Sequence, residues 1–120
     1  MTAIVEPIGS STSGGVAPAR NMRGSVASVT PSATQTVVSF TAGTRKLRGF
    51  SLHGTTDALA WIEVDGSPLE GVVARHSRVL PAYLVLPNPE AYASPSSVVA
   101  LRVLNEGDVS ADFEGVVFGE

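Results

Sequence analysis

The sequence predicts an all-β fold: an antiparallel β-sandwich, jelly-roll-like, of about eight strands, with an extended N-terminal arm. Three observations predict it. From residue 25 onward, short β-branched runs alternate apolar and polar residues with period two. Gly, Pro, Asn and Asp cut these runs at roughly the 8–12-residue spacing of sandwich strands. No segment keeps a helical period over three turns. A closed barrel is the alternative arrangement of the same strands.

The arm is assigned to residues 1–24 and the sandwich to residues 25–120. Residues 1–33 contain no Leu, Phe, Tyr or Trp, and their only charges are Glu6, Arg20 and Arg23. Ser10, Ser11, Thr12, Ser13, Gly14 and Gly15 form a flexible stretch by composition. Pro7, Pro18 and Pro31 exclude a long helix. Such a segment cannot offset its own ordering entropy by burial. A neighbouring subunit is the surface expected to order it, with Ile4, Val5, Pro7, Ile8, Val16, Arg20 and Arg23 as the contact residues. A tail packed on its own domain is the plainer account.

Strands are predicted at residues 25–30, 34–41, 46–53, 58–64, 69–75, 79–86, 97–104 and 111–118. In the second, Val38 and Phe40 share one face, and Val37 and Ser39 the other. The third puts Phe50 and Leu52 inward. The fourth aligns Ala58, Ala60, Ile62 and Val64, leaving Trp61 and Glu63 on the opposite face. Asp65 and Gly66 are a hairpin-turn pair leading into the fifth. Pro81 marks the sixth as an edge or bulged strand. Pro87, Pro89 and Pro95 bracket Glu90, Ala91, Tyr92 and Ala93, at most one helical turn within a loop. The seventh aligns Val99, Leu101 and Val103. A turn at residues 105–108 precedes the last strand. The expected core is Val38, Phe40, Phe50, Leu52, Ile62, Val64, Val73, Leu84, Leu86, Val99, Leu101, Val103, Phe113 and Val117.

At 120 residues the chain has room for one core. Charged residues are only 16% of the total, against a usual quarter. That leaves a neutral polar surface, suited to contact with other protein and equally to an ordinary Thr/Ser-rich sandwich. A net charge of −3 gives no electrostatic case for nucleic acid or an anionic membrane. With no cysteine, disulfides and thiolate metal sites are excluded. The first residues lack the basic and apolar regions of a signal peptide, and no apolar run nears the length of a membrane span, so a soluble, non-exported chain is expected.

Nothing in the sequence assembles chemistry, and neither enzymatic activity nor a cofactor is expected. His53 and His76 are too few for a zinc site and read as polar strand ends. Asp112 and Glu114 alternate on one strand, roughly 6–7 Å apart, a separation open to a glycosidase pair but ordinary for a solvated strand face. No nucleophile elbow occurs, and residues 43–46 lack the spacing and following helix of a phosphate loop. Two basic clusters remain: Arg45, Lys46 and Arg48, and Arg75, His76 and Arg78. They are solvated loop charges or partner contacts. Trp61 opposes the strongest apolar face of its strand. It is a core residue if a bulge shifts the phase; otherwise it is a subunit anchor or a sugar-stacking platform.

Four stretches occur in a recognisable order. They are KLRGFSLHG (46–54), AWIEVDG (60–66), VALRVLN (99–105) and ADFEGVVFG (111–119). In this order, over residues 34–119, the chain resembles small β-sandwich virion accessory proteins of tailed bacteriophages. The resemblance implies a capsid decoration (cement) protein that binds and stabilises the shell through its sandwich and arm, or a tail or baseplate component. It carries over no catalytic residue. The implied partners are the major capsid protein or another virion protein, and sister copies in a homo-oligomer, a trimer being favoured. Neither nucleic acid nor membrane is implied. The location would be the virion, assembled in the host cytoplasm. A carbohydrate-binding module, with Trp61 and Tyr83 or Tyr92 stacking on sugars, is the alternative.

Overall fold

The computed structural model describes residues 20–120, which form eight antiparallel strands. They are β1 (Met22–Val29), β2 (Thr34–Thr41), β3 (Lys46–Gly54), β4 (Ala58–Val64), β5 (Ser67–His76), β6 (Ala82–Ala91), β7 (Val98–Asn105) and β8 (Ala111–Gly119). One sheet has the order β1-β8-β3-β6, the other β2-β7-β4-β5. Only β4 and β5 are consecutive strands of the same sheet; every other connection crosses between sheets. That strand order is a jelly roll.

The β4–β5 hairpin turns on Asp65 and Gly66, with φ of 53° and 84°. Two positive φ angles are what a two-residue hairpin turn matching the strand twist requires, and Asp-Gly tolerates them. β1 begins at Met22, so residues 22–24 of the expected arm are strand, and Arg23 pairs with Val116 of β8. Ile4, Val5, Pro7, Ile8 and Val16 lie outside the described residues.

Alternation builds the core. In β7, Val99, Leu101, Val103 and Asn105 are buried, and in β4 Ala58, Ala60 and Ile62. Phe50 and Phe113 are the largest fully buried side chains. Two face assignments fail for backbone reasons. Val37 is buried alongside Val38, because the β2–β7 register shifts between Thr36 and Val38 and this bulge turns both valines inward. Val73 is exposed: β5 slips against β4, and Val73 pairs with outward-facing Trp61 while Val72 takes the core place. Phe40, Val64, Leu84 and Leu86 are partly buried, packing on the core from its margin. Pro81 ends a loop, and β6 runs from Ala82 through Pro87 and Pro89 as an edge strand. Glu90 and Ala91, expected in a loop or helical turn, instead pair with Leu47 and Lys46.

Phe50→Ala is expected to cost about 3–5 kcal/mol in urea unfolding, since it empties a wholly enclosed site. Val73→Ala, on the outer face, is expected to stay within about 0.5 kcal/mol of the parent.

Candidate functional site

The strand order gathers the β2–β3, β4–β5 and β6–β7 connections at one end of the sandwich, together with Arg20 and the C-terminus. Backbone bonds join them: Ala42 N–H to Ser97 O (2.9 Å), Gly43 N–H to Pro95 O (2.8 Å) and Asp65 N–H to Val98 O (2.8 Å). The Asp65 carboxylate accepts the Val98 N–H at 2.9 Å. Lys46 and Glu120 exchange both backbone bonds, and the Arg48 guanidinium lies 3.6 Å from the Glu120 carboxylate. Arg20 donates to the Thr44 hydroxyl, rooting the start of the described chain on this end. Arg45 lies over the Phe40 ring at 5.8 Å, and Phe40 meets Tyr92 edge-on at 6.4 Å. Burial raises the Tyr92 phenol from 10.0 to about 12, against the opposing pull of the Arg45 charge.

The second predicted basic cluster is at the other end and is not a cluster. Arg75 is paired with Glu106. His76 is 2% exposed; its Nδ1 faces Thr56 O at 2.8 Å and its Nε2 accepts the Gly54 N–H at 3.2 Å. These partners assign a neutral ring with its proton on Nδ1. The ring is an internal strut, edge-on to Phe113 at 6.3 Å. Beside it Asn105, fully buried, donates to Val29 O and Val109 O and accepts from Gly107 N–H, tying the β1–β2 and β7–β8 connections together. Arg75, though paired, and Arg78 both stand exposed, Arg78 in the loop that also presents Val79 and Leu80. Arg45 and Arg48 are therefore brought together with Arg20, while Arg75 and Arg78 sit at the far end.

Trp61 is half-buried on the outer face of the second sheet, as its strand phase requires, and is not a core residue. Its indole N–H donates to Glu63 Oε2 at 2.9 Å. That oxygen lies 3.6 Å from Arg102 Nε, and Arg102 donates to the Thr36 hydroxyl at 2.6 Å. A polar row thus crosses β2, β7 and β4. Trp61 and Glu63, two residues apart on one strand, were visible in the sequence. Arg102 and Thr36 join them only through the register of β7 with its neighbours.

The outer face of the first sheet carries a shallow groove of about 460 Å³, lined in part by Ser25, His53, Asp112 and Glu114. Asp112 accepts the Ser28 N–H at 2.8 Å, stabilising the positive φ of 56° at a β1 bulge. Its carboxylate is thus committed to the backbone rather than paired with Glu114. Among the described residues no three His, Asp or Glu side chains converge as a metal site. Beyond the groove the same face turns apolar. Tyr83 and Val85 of β6 are 66% and 48% exposed, and Tyr83 meets Phe118 of β8 edge-on at 5.9 Å. Sequence reading missed this strip because it forms only when β6 and β8 flank β3.

No family model, curated protein or solved structure matches the chain.

The neutral phenol of Tyr92 is the form the fold favours. Its contribution to stability is therefore present below pH 10 and is lost as pH rises from 10 towards about 12. In an alkaline titration followed at 295 nm, one tyrosine is expected to ionise late, near pH 12. Tyr92→Phe is expected to remove that late step.

Proposed function

We propose that this protein is a non-enzymatic virion structural protein, a capsid decoration (cement) protein whose sandwich and N-terminal arm hold neighbouring subunits. The observation that carries the reading is where the arm departs. Residues 1–19, with Ile4, Val5, Pro7, Ile8 and Val16, precede Arg20 at the end that also presents Arg45 and Arg48. The jelly roll and the exposed apolar residues on both outer faces support it, as does the resemblance of residues 34–119 to phage virion sandwiches. In this role the major capsid protein is the principal partner, a homo-oligomer the working form, and a trimer the favoured one. Repeated weak contacts over a shell would supply the stabilisation through avidity.

Because β1 begins at Met22, the informative truncation removes residues 1–19 and leaves every strand intact. The truncated chain is expected to keep its unfolding midpoint and to stop co-sedimenting with expanded, undecorated shells of the phage that encodes it. Equal sedimentation of the two chains, or none by the intact chain, would overturn the reading.

The outward position of Trp61 favours a second reading, a carbohydrate-binding module. Its indole N–H is already bound to Glu63, so a sugar would have only the ring face to stack on. Quenching of Trp61 fluorescence by oligosaccharides, lost in Trp61→Ala, is what that reading requires.

A further inference from the structure

Among the described residues nothing covers the apolar strip on the first sheet, and residues 1–19 of the chain supply a fitting partner by composition. Val116 and Phe118 of β8 and Tyr83 and Val85 of β6 face outward on either side of β3. On the row joining Phe118 to Val85 the β3 residue is Gly49, so no side chain stands between them. Arg23 lies beside Val116 on β1, and Arg48 lies on β3, giving the strip a basic margin. Within residues 1–19 the branched aliphatic side chains are Ile4, Val5, Ile8 and Val16; the first three cluster around Glu6, the one charged side chain. Three aliphatics around one carboxylate match an apolar strip with arginines at its margin, in both hydrophobicity and charge.

The length of the intervening chain decides whose strip is used. The root of the arm is already beside Phe118: Asn21 accepts the Gly119 N–H at 3.2 Å, and a Cβ at Gly119 would collide with Arg20 O. Reaching the strip of its own domain would take only a few residues. The polar spacer from Gly9 to Ala19 has eleven residues and reaches up to about 36–40 Å when extended. That exceeds the 28 Å width of the domain and suits a crossing to another molecule.

We infer that Ile4, Val5 and Ile8 of one copy dock on the Tyr83, Val85 and Phe118 strip of a second copy, with Glu6 facing Arg23 or Arg48. The inference rests on the reading that the arm links subunits and names the surface it uses.

The chain has no cysteine, so T2C places a single nitroxide on the arm of the full-length protein. Spin-labelled chains at natural isotopic abundance are mixed with unlabelled-arm chains enriched in nitrogen-15. The inference expects intermolecular broadening at the amides of Tyr83, Val85 and Phe118, abolished when the enriched chain carries Val85→Lys. That substitution lies on an exposed edge-strand site where the fold tolerates charge. Three results would overturn it. One is broadening centred elsewhere, such as the cavity lined by Leu47, Leu69 and Tyr92. Another is no broadening between molecules. The third is broadening unchanged by Val85→Lys. Where one of these three results is obtained, shell binding by the intact chain would leave the decoration reading standing while this inference falls.

Discussion

One layer of apolar side chains between two four-stranded sheets holds this molecule together. Phe50, Leu52, Phe113 and Val117 enter it from the first sheet, and Ile62, Val99, Leu101 and Val103 from the second. Nearly every connection crosses from sheet to sheet, so no strand pair other than β4–β5 is a local hairpin. Most of the pairing is between strands distant in sequence. The ladder bonds can form only once the layer has brought the strands together, and each strand must present its apolar residues in phase to join it.

The two ends of the sandwich are finished differently. At one, buried Asn105 and His76 satisfy backbone groups of the crossing loops, so that end is closed by internal hydrogen bonds. Removing Asn105 would orphan the Val29 carbonyl in a buried place, at roughly 1–3 kcal/mol, and two further backbone groups in part-buried ones. The other end is a platform of hydrogen-bonded turns carrying Arg20, Arg45, Lys46 and Arg48, and the chain enters there. That division puts structural polar groups inside one end and available charge on the other.

The strands were legible because alternation is a local signal. β2 and β4 were placed residue for residue, and the Asp65–Gly66 turn announced its hairpin. What the sequence hid were the register slips. Val37 and Val73 are ordinary valines in alternating runs, and only the bulges opposite β7 and β4 decide which way they point. The extension of β6 past Pro87 and Pro89 was hidden too, because proline in a run reads as a break unless the strand is known to be an edge. For surfaces the limit is sharper. The Trp61–Glu63 pair is local, but the Arg102 link and the Tyr83–Phe118 strip join residues tens of positions apart. His76 shows the converse: grouped by sequence with two arginines, it is turned inward by the phase of β5 and bonded to the β3–β4 connection.

The central claim is that a self-sufficient sandwich carries an arm whose work lies on another molecule. Sedimentation velocity over a concentration series, run on the intact chain beside a chain beginning at residue 20, addresses it most directly. The account predicts that both are folded and that only the intact chain shifts to larger species as concentration rises. A shorter chain that associates equally, or an intact chain that remains a single copy throughout, would contradict it.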